Sequence, residues 1–189
     1  MKLIKPSFNF YILITLLFFS IKSYAVSFNL SAFYNSDSFA QSSTLTTTQL
    51  YSDFDAMIDM TKSGGFEVGW TAGLISTSES GSSSTTYSLN EMGPKFLYNL
   101  NKQKNWQLGL SYYLQANASY SNGSSYTWRG TAYKINLNYL MELSETLFIG
   151  VSINYHAATF NEQFVGGSTF STISYTRGLI YPALQISYR

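Results

Sequence analysis

The 189-residue sequence contains no cysteine, only three prolines and a single histidine, and Asp, Glu, Lys and Arg together make up only 11 % of it. Without cysteine there is no disulfide framework, no thiolate metal site and no cysteine nucleophile. One histidine, His156, cannot build a zinc site unless carboxylates surround it. A formal net charge of +1 excludes the basic face that nucleic-acid binding requires. No glycine-rich stretch leads into Lys followed by Ser or Thr, so a phosphate-cradling loop is absent too. The apolar run Tyr11–Phe19 is too short to cross a membrane as a helix. The scarcity of charge also argues against an ordinary soluble domain, whose surface usually carries about a quarter charged residues. A chain this poor in charge must hide its surface from water or aggregate.

What is abundant is aromatic: 16 Tyr and 14 Phe bring the aromatic share to 17 %. The first residues have a separate explanation. Lys2 and Lys5 precede the Tyr11–Phe19 run, and Ser23-Tyr24-Ala25 offers small residues at the two positions a signal peptidase reads. Residues 1–25 are therefore expected to be a secretory signal peptide, cleaved after Ala25. The mature part, 26–189, is expected to be one domain with eight basic and ten acidic residues, a net charge near −2.

Along that part apolar and polar residues alternate with a period of two, the signature of a strand whose faces meet different surroundings. In Trp106–Tyr120, the set Trp106, Leu108, Leu110, Tyr112, Leu114, Ala116, Ala118, Tyr120 opposes Gln107, Gly109, Ser111, Tyr113, Gln115, Asn117, Ser119. Seven more segments repeat the pattern, near 26–34, 50–60, 66–75, 91–98, 132–141, 147–156 and 179–188. The connections alternate in kind. Segments rich in Ser, Thr, Asn and Gly near 35–48, 76–86, 121–125 and 160–169 read as longer loops, and 61–65, 101–105 and 142–146 read as tight turns. Asn122-Gly123 reads as a turn, so the acceptor-like Asn122-Gly-Ser124 and Asn117-Ala-Ser119 are taken as chance. Such an alternation predicts an all-β fold: an eight-stranded, antiparallel, up-and-down transmembrane β-barrel. Pro94 and Pro182 interrupt apolar-face runs and are expected at bulges or strand ends, because a closed sheet has no free edge for a residue without an N–H.

The identity of the residues decides which face points out. With the apolar set inside, as in a lipocalin-like soluble calyx, the exterior would be Gly, Ser, Gln and Tyr, a poor soluble surface. With the apolar set outside, the small polar residues fill a narrow bore. Asp53, Asp55, Asp59, Glu67, Glu91, Lys95, Lys134, His156 and Arg177 all share the polar parity. A Lys or Arg facing lipid at mid-depth costs about 2–4 kcal/mol, so this sorting suits an outward apolar face. Arg129 has the opposite parity and is expected at the water interface. Trp70, Trp106 and several Tyr lie on the apolar face near strand ends, where an amphipathic ring is buried while its polar atom stays wet.

With the signal peptide, the eight alternating segments and the ending Leu184-Gln-Ile-Ser-Tyr188-Arg189, the chain resembles small eight-stranded outer-membrane β-barrels of the kind formed by the OmpA transmembrane domain and by OmpW-like proteins. Met92-Gly-Pro-Lys-Phe-Leu-Tyr98 also looks like a recurrent strand of these families. The resemblance implies an outer-membrane location in a Gram-negative cell envelope, periplasmic termini, contact with membrane lipid and lipopolysaccharide, and delivery to the barrel-assembly machinery through the last strand. Arg189, placed after the final aromatic residue, departs from the usual ending of that signal.

The candidate site is the lumen. Asp53, Asp55, Glu67 and Glu91 are expected to pair with Lys95, Lys134 and Arg177, since buried charges persist only when partnered. The expected function is structural, or a narrow porin-like passage for small solutes or ions through a bore filled by polar and charged side chains. The alternative is a surface interaction or adhesion protein working through its Ser/Thr-rich loops. An outer-leaflet lipid-modifying enzyme is a third possibility, but barrels resembling lipid A deacylases carry a serine two residues from a membrane-facing histidine, and His156-Ala157-Ala158-Thr159 offers neither. No catalysis, cofactor or metal is expected.

Overall fold

The computed structural model describes residues 25–40, 44–61, 65–81, 84–166 and 169–189. Apart from Ala25, the expected signal peptide lies outside the described residues. Eight strands follow one another: β1 (Val26–Ala40), β2 (Thr44–Asp59), β3 (Phe66–Ser80), β4 (Ser84–Asn99), β5 (Trp106–Ser121), β6 (Ser125–Glu142), β7 (Leu147–Val165) and β8 (Thr169–Tyr188). Each pairs antiparallel with its neighbours in sequence, and β8 returns to β1 to close the ring. This is the up-and-down barrel that the alternation predicts.

Orientation follows the predicted sorting. Leu110, Ile153 and Leu184 are 49 %, 63 % and 67 % exposed on the outside, whereas Lys134 and Asp55 are 1 % and 3 % exposed in the bore. An exterior of bare Leu, Ile, Phe, Trp and Tyr is an exterior for hydrocarbon, not water.

Of the four segments expected to be longer loops, 35–48, 76–86 and 160–169 are mostly strand where described, and 121–125 is a short turn at Asn122–Ser124. β1 runs to Ala40 and β2 resumes at Thr44, with Ser36, Asp37 and Ser38 paired to Thr48, Thr47 and Thr46. The same Thr46–Thr48 pair on their other side with Ser80, Glu79 and Ser78. Threonine is β-branched and favours extended backbone, so a polar Thr/Ser segment makes good strand when neither face has to be apolar. Strands of 15 to 20 residues result. About ten tilted residues cross a hydrocarbon layer, so the hairpins overshoot it at the end away from the termini. At that hairpin end Gly123 takes a positive φ of 72° within the Asn122–Ser124 turn.

Bulges also shift the parity. β5 carries one residue more than both neighbours: Met92 and Lys95 of β4 oppose Gln115 and Ser111, and Tyr113 and Ala116 oppose Ala132 and Gly130 of β6. Beyond the bulge the faces exchange. Ala116 and Ala118, expected outside, are buried in the bore, and Gln115, Asn117 and Ser119, expected inside, are exposed. Pro94 lies opposite this irregularity, as its missing N–H requires. Pro182 stays in register with Ile153 of β7, but the β1–β8 ladder runs only from Phe28↔Tyr188 to Ala32↔Leu184 and stops before reaching it.

A ring of only eight strands curves sharply, and at some inward positions even a methyl group has no room. A Cβ at Gly150 would run into the Tyr139 carbonyl oxygen and the Leu140 backbone of β6, while one at outward Gly178 would meet nothing within 4 Å. Gly150→Val should therefore lower the urea midpoint of the folded, heat-modifiable band on gel electrophoresis by the equivalent of about 1–3 kcal/mol. Gly178→Ala should leave that midpoint unchanged.

Candidate functional site

The bore is filled by side chains from all eight strands, stacked in three levels. Nearest the termini, Ser27 Oγ donates to Glu67 Oε2 at 2.8 Å and Asn99 Nδ2 donates to Glu67 Oε1 at 3.0 Å. Gln107 Nε2 extends the chain of bonds to Asn99 Oδ1 at 2.6 Å. Met57, Leu97, Leu140 and Phe148 are buried on the same inward faces of β2, β4, β6 and β7. At the rim, Lys104 from the β4–β5 turn reaches Asp59 at 3.0 Å.

The middle level holds the charges. Lys95 Nζ of β4 lies 2.6 Å from Asp55 Oδ2 of β2, and Lys134 Nζ of β6 lies 2.7 Å from Asp53 Oδ2, also of β2. Asp53 is further held by Tyr113 Oη at 3.3 Å and Ser31 Oγ at 3.2 Å. His156 Nε2 of β7 shares a 2.8 Å hydrogen bond with Glu91 Oε2 of β4. The two-residue period of β2 sets Asp53 and Asp55 one above the other on the inner wall, and two lysines reach them from different sides of the ring. All of these charged groups are almost wholly buried, a state that a carboxylate or ammonium tolerates only with a partner at contact.

Above the charges, toward the hairpins, the bore is apolar. Tyr51, Ile75, Tyr87, Leu89, Phe160 and Tyr181 form a buried cluster, with Phe33, Tyr120, Trp128 and Leu179 packed against it. Tyr51 stacks on Tyr181 at 4.5 Å between ring centres, and Phe33 stacks on Tyr51 at 5.6 Å. Trp128 sits 5.7 Å from Phe160 and 5.2 Å from Tyr120. Arg177 lies at this level, its guanidinium 3.8 Å from the centre of the Tyr87 ring and donating to Thr77 Oγ1 at 3.2 Å.

The seven residues expected to form one lumen network thus fall into separate groups. Asp53, Asp55, Lys95 and Lys134 come together as two ion pairs. Glu91 is bound to His156 and not to a lysine or arginine, Glu67 bonds to neutral side chains one level away, and Arg177 stands apart among aromatic rings. Nor is the bore filled by polar and charged side chains alone, because Tyr51, Met57, Ile75, Leu97, Leu140, Phe148 and Tyr181 occupy it as well. Their positions on the polar parity of their segments were the available signal. The inward placement of Ala116, Ala118 and Tyr120 had none, since the β5 bulge that causes it leaves no mark in the alternation.

No protein-family model matches the chain, and no curated protein matches it in sequence. Among solved structures it is similar to Neisserial surface protein A (NspA), with a TM-score of 0.51 at 12 % identity over 88 % of this chain and 99 % of that one. The fold is that of a small eight-stranded outer-membrane β-barrel. The translocator domain of the autotransporter NalP from Neisseria meningitidis also aligns, at 8 % identity and a TM-score of 0.40, over 96 % of this chain and 94 % of that one.

Removing one member of a buried ion pair leaves the other charge stranded. Lys134→Met should destabilise the barrel by about 3–5 kcal/mol in reversible urea unfolding from lipid vesicles. Adding Asp53→Asn to that variant should recover most of the loss, and a double variant no better than the single one would show that the pair is not the energetic unit.

Proposed function

We propose that the protein is an outer-membrane barrel acting as a sealed scaffold: it holds its place in the bilayer without conducting and carries four polar strand hairpins out of it. One observation supports this above all. Each level of the bore is occupied, first by hydrogen-bonded side chains with apolar ones beside them, then by ion pairs, then by stacked rings. A solute passing through would have to break Lys95–Asp55 and Lys134–Asp53 and also displace Tyr51, Tyr181 and Phe160. The work is then left to the outside, where Ser/Thr-rich strand pairs offer hydrogen-bonding edges and faces to a partner, the mode in which an exposed sheet is commonly recognised.

In this reading residues 1–25 direct export, the termini lie in the periplasm, and Tyr188 at the end of the last strand serves the assembly machinery. The outward apolar belt meets lipid and, in the outer leaflet, lipopolysaccharide. The chain has no catalytic role: His156 is enclosed in the bore, its Nε2 committed to Glu91.

Mature protein refolded into planar bilayers should give no channel events at 100 mV in molar KCl. The variant Asp53→Asn/Lys134→Met should be equally silent, because the aromatic level still closes the bore. Steady conductance from the wild-type barrel, altered by charge reversal at Lys134, would establish the passage in place of the scaffold.

A further inference from the structure

Toward the hairpins the apolar belt of the exterior gives way to polar residues, and on the wall of β5, β6 and β7 it does so at an irregularity of the sheet. There the extra residue of β5 at Leu114–Gln115 and the extra residue of β7 at Asn161 lie beside each other across β6, and the irregular pairing of Arg129 and Gly130 lies between them. The ladder opens into a groove of about 390 Å³ lined by Leu114, Gln115, Asn117, Arg129, Asn161 and Glu162 among others. Neighbouring bulges at one level re-aim several side chains together, and bulges of this kind commonly accompany sites. Here they turn Gln115 and Asn117 outward, against the parity of the lower half of β5.

Depth in the membrane is marked by aromatic residues. Tyr112 and Tyr133 are cross-strand partners, Tyr133 and Tyr155 approach to 5.9 Å between ring centres, and all three point outward and are exposed. Trp106 and Tyr139, paired at the opposite rim, mark the other boundary, and Arg129 lies ten residues along β6 from Tyr139, about the length of tilted strand that crosses the hydrocarbon, with this tyrosine row below it. The groove begins on the next residues toward the hairpins, so it sits at headgroup depth with Leu114 as its lower lip. Its cation is available. Among the described residues no ion pair includes Arg129; its guanidinium rests 4.8 Å above the Phe164 ring, and Glu162 faces it only as a cross-strand neighbour.

We infer that this groove is a binding site for the phosphorylated headgroup of an outer-leaflet lipid. Arg129 takes the phosphate through its paired N–H donors. The amides of Gln115, Asn117 and Asn161 and the carboxylate of Glu162 take the hydroxyl or amine groups around it, and the acyl chains run down past Leu114 over Tyr112 and Tyr133. Charge complementarity selects this occupant: among the described residues the Arg129 guanidinium is in no ion pair, and at the depth where lipid phosphates lie it finds its counter-ion. The inference rests on the outer-membrane reading.

Native mass spectrometry of the mature barrel released from detergent micelles tests it, with diphosphoryl lipid A as the lipid probe, dimyristoylglycerol as the phosphate-free lipid and inorganic phosphate as the lipid-free anion. One retained lipid A per barrel is expected, with retention weakened at least about tenfold in Arg129→Gln and no retention of dimyristoylglycerol. Asn117→Leu, at the cross-strand partner of Arg129 on β5, should weaken it by a smaller factor. Equal retention by wild type and Arg129→Gln overturns the site, as does equal retention of the phosphate-free lipid. Inorganic phosphate bound as tightly as lipid A overturns the lipid assignment in favour of a free-anion site. Insertion of the same preparations into liposomes separates the two readings. Variants that insert normally but lose lipid A have lost only the site, whereas a wild-type chain that stays soluble without detergent overturns the membrane barrel itself.

Discussion

Every backbone N–H and C=O in a hydrocarbon layer needs a partner within the protein, and a sheet meets that demand only by closing on itself. Most of this structure follows from that constraint. Closure fixes which way each side chain points, because alternate residues of a strand in a ring can face only the axis or the surroundings. With eight strands the interior is one side chain deep from each wall, so whatever faces inward meets its counterpart from across the ring. Asp53 and Asp55 on one strand therefore find lysines from two others, and Tyr51 finds Tyr181, although the partners in each pair are far apart in sequence.

The outer surface was legible because lipid is an undiscriminating but strict selector. Leu110, Ile153 and Leu184 could be assigned from their parity alone, and the absence of Lys and Asp from that parity gave the sign. The bore was less legible. A side chain there is chosen to fit one particular neighbour, so Glu91 goes with His156 and Arg177 with Tyr87, pairings that depend on register and stagger, which a single sequence does not record. Polar content misled in a specific way over 35–48 and 76–86. Serine and threonine in number suggested loop, yet beyond the bilayer a strand needs no apolar face, and Thr46–Thr48 form one with partners on both sides. The β5 bulge was invisible for a related reason: Gln115 and Asn117 fit the polar face of the uninterrupted pattern, and only the extra residue turns them outward.

The interior combines two ways of excluding water. The ion pairs of the middle level hold by partnership, and each would be costly to break singly though an apolar pair of the same size could replace it at little cost. The stacked rings on the hairpin side hold by area and by the offset geometry aromatic pairs prefer. Placed in series, they keep the buried charges away from the solvent at the hairpin mouth, which strengthens each pair by lowering the local dielectric. A conservative exchange in the rings would thus be felt in the carboxylates beneath.

The ladder between β1 and β8 covers five residue pairs, ending at Ala32↔Leu184, two residues short of Pro182. Past that point the first and last strands are joined from within by Phe33 and Tyr181, whose ring centres lie 6.3 Å apart, and by Tyr51 of β2, 5.6 Å from Phe33 and 4.5 Å from Tyr181. The cylinder is in effect a rolled ribbon buttoned along its lower half and glued along its upper half. Because this seam joins the first strand of the ring to the last, it is the one seam not also tied by a hairpin, and prising the molecule apart sideways would begin at the glue.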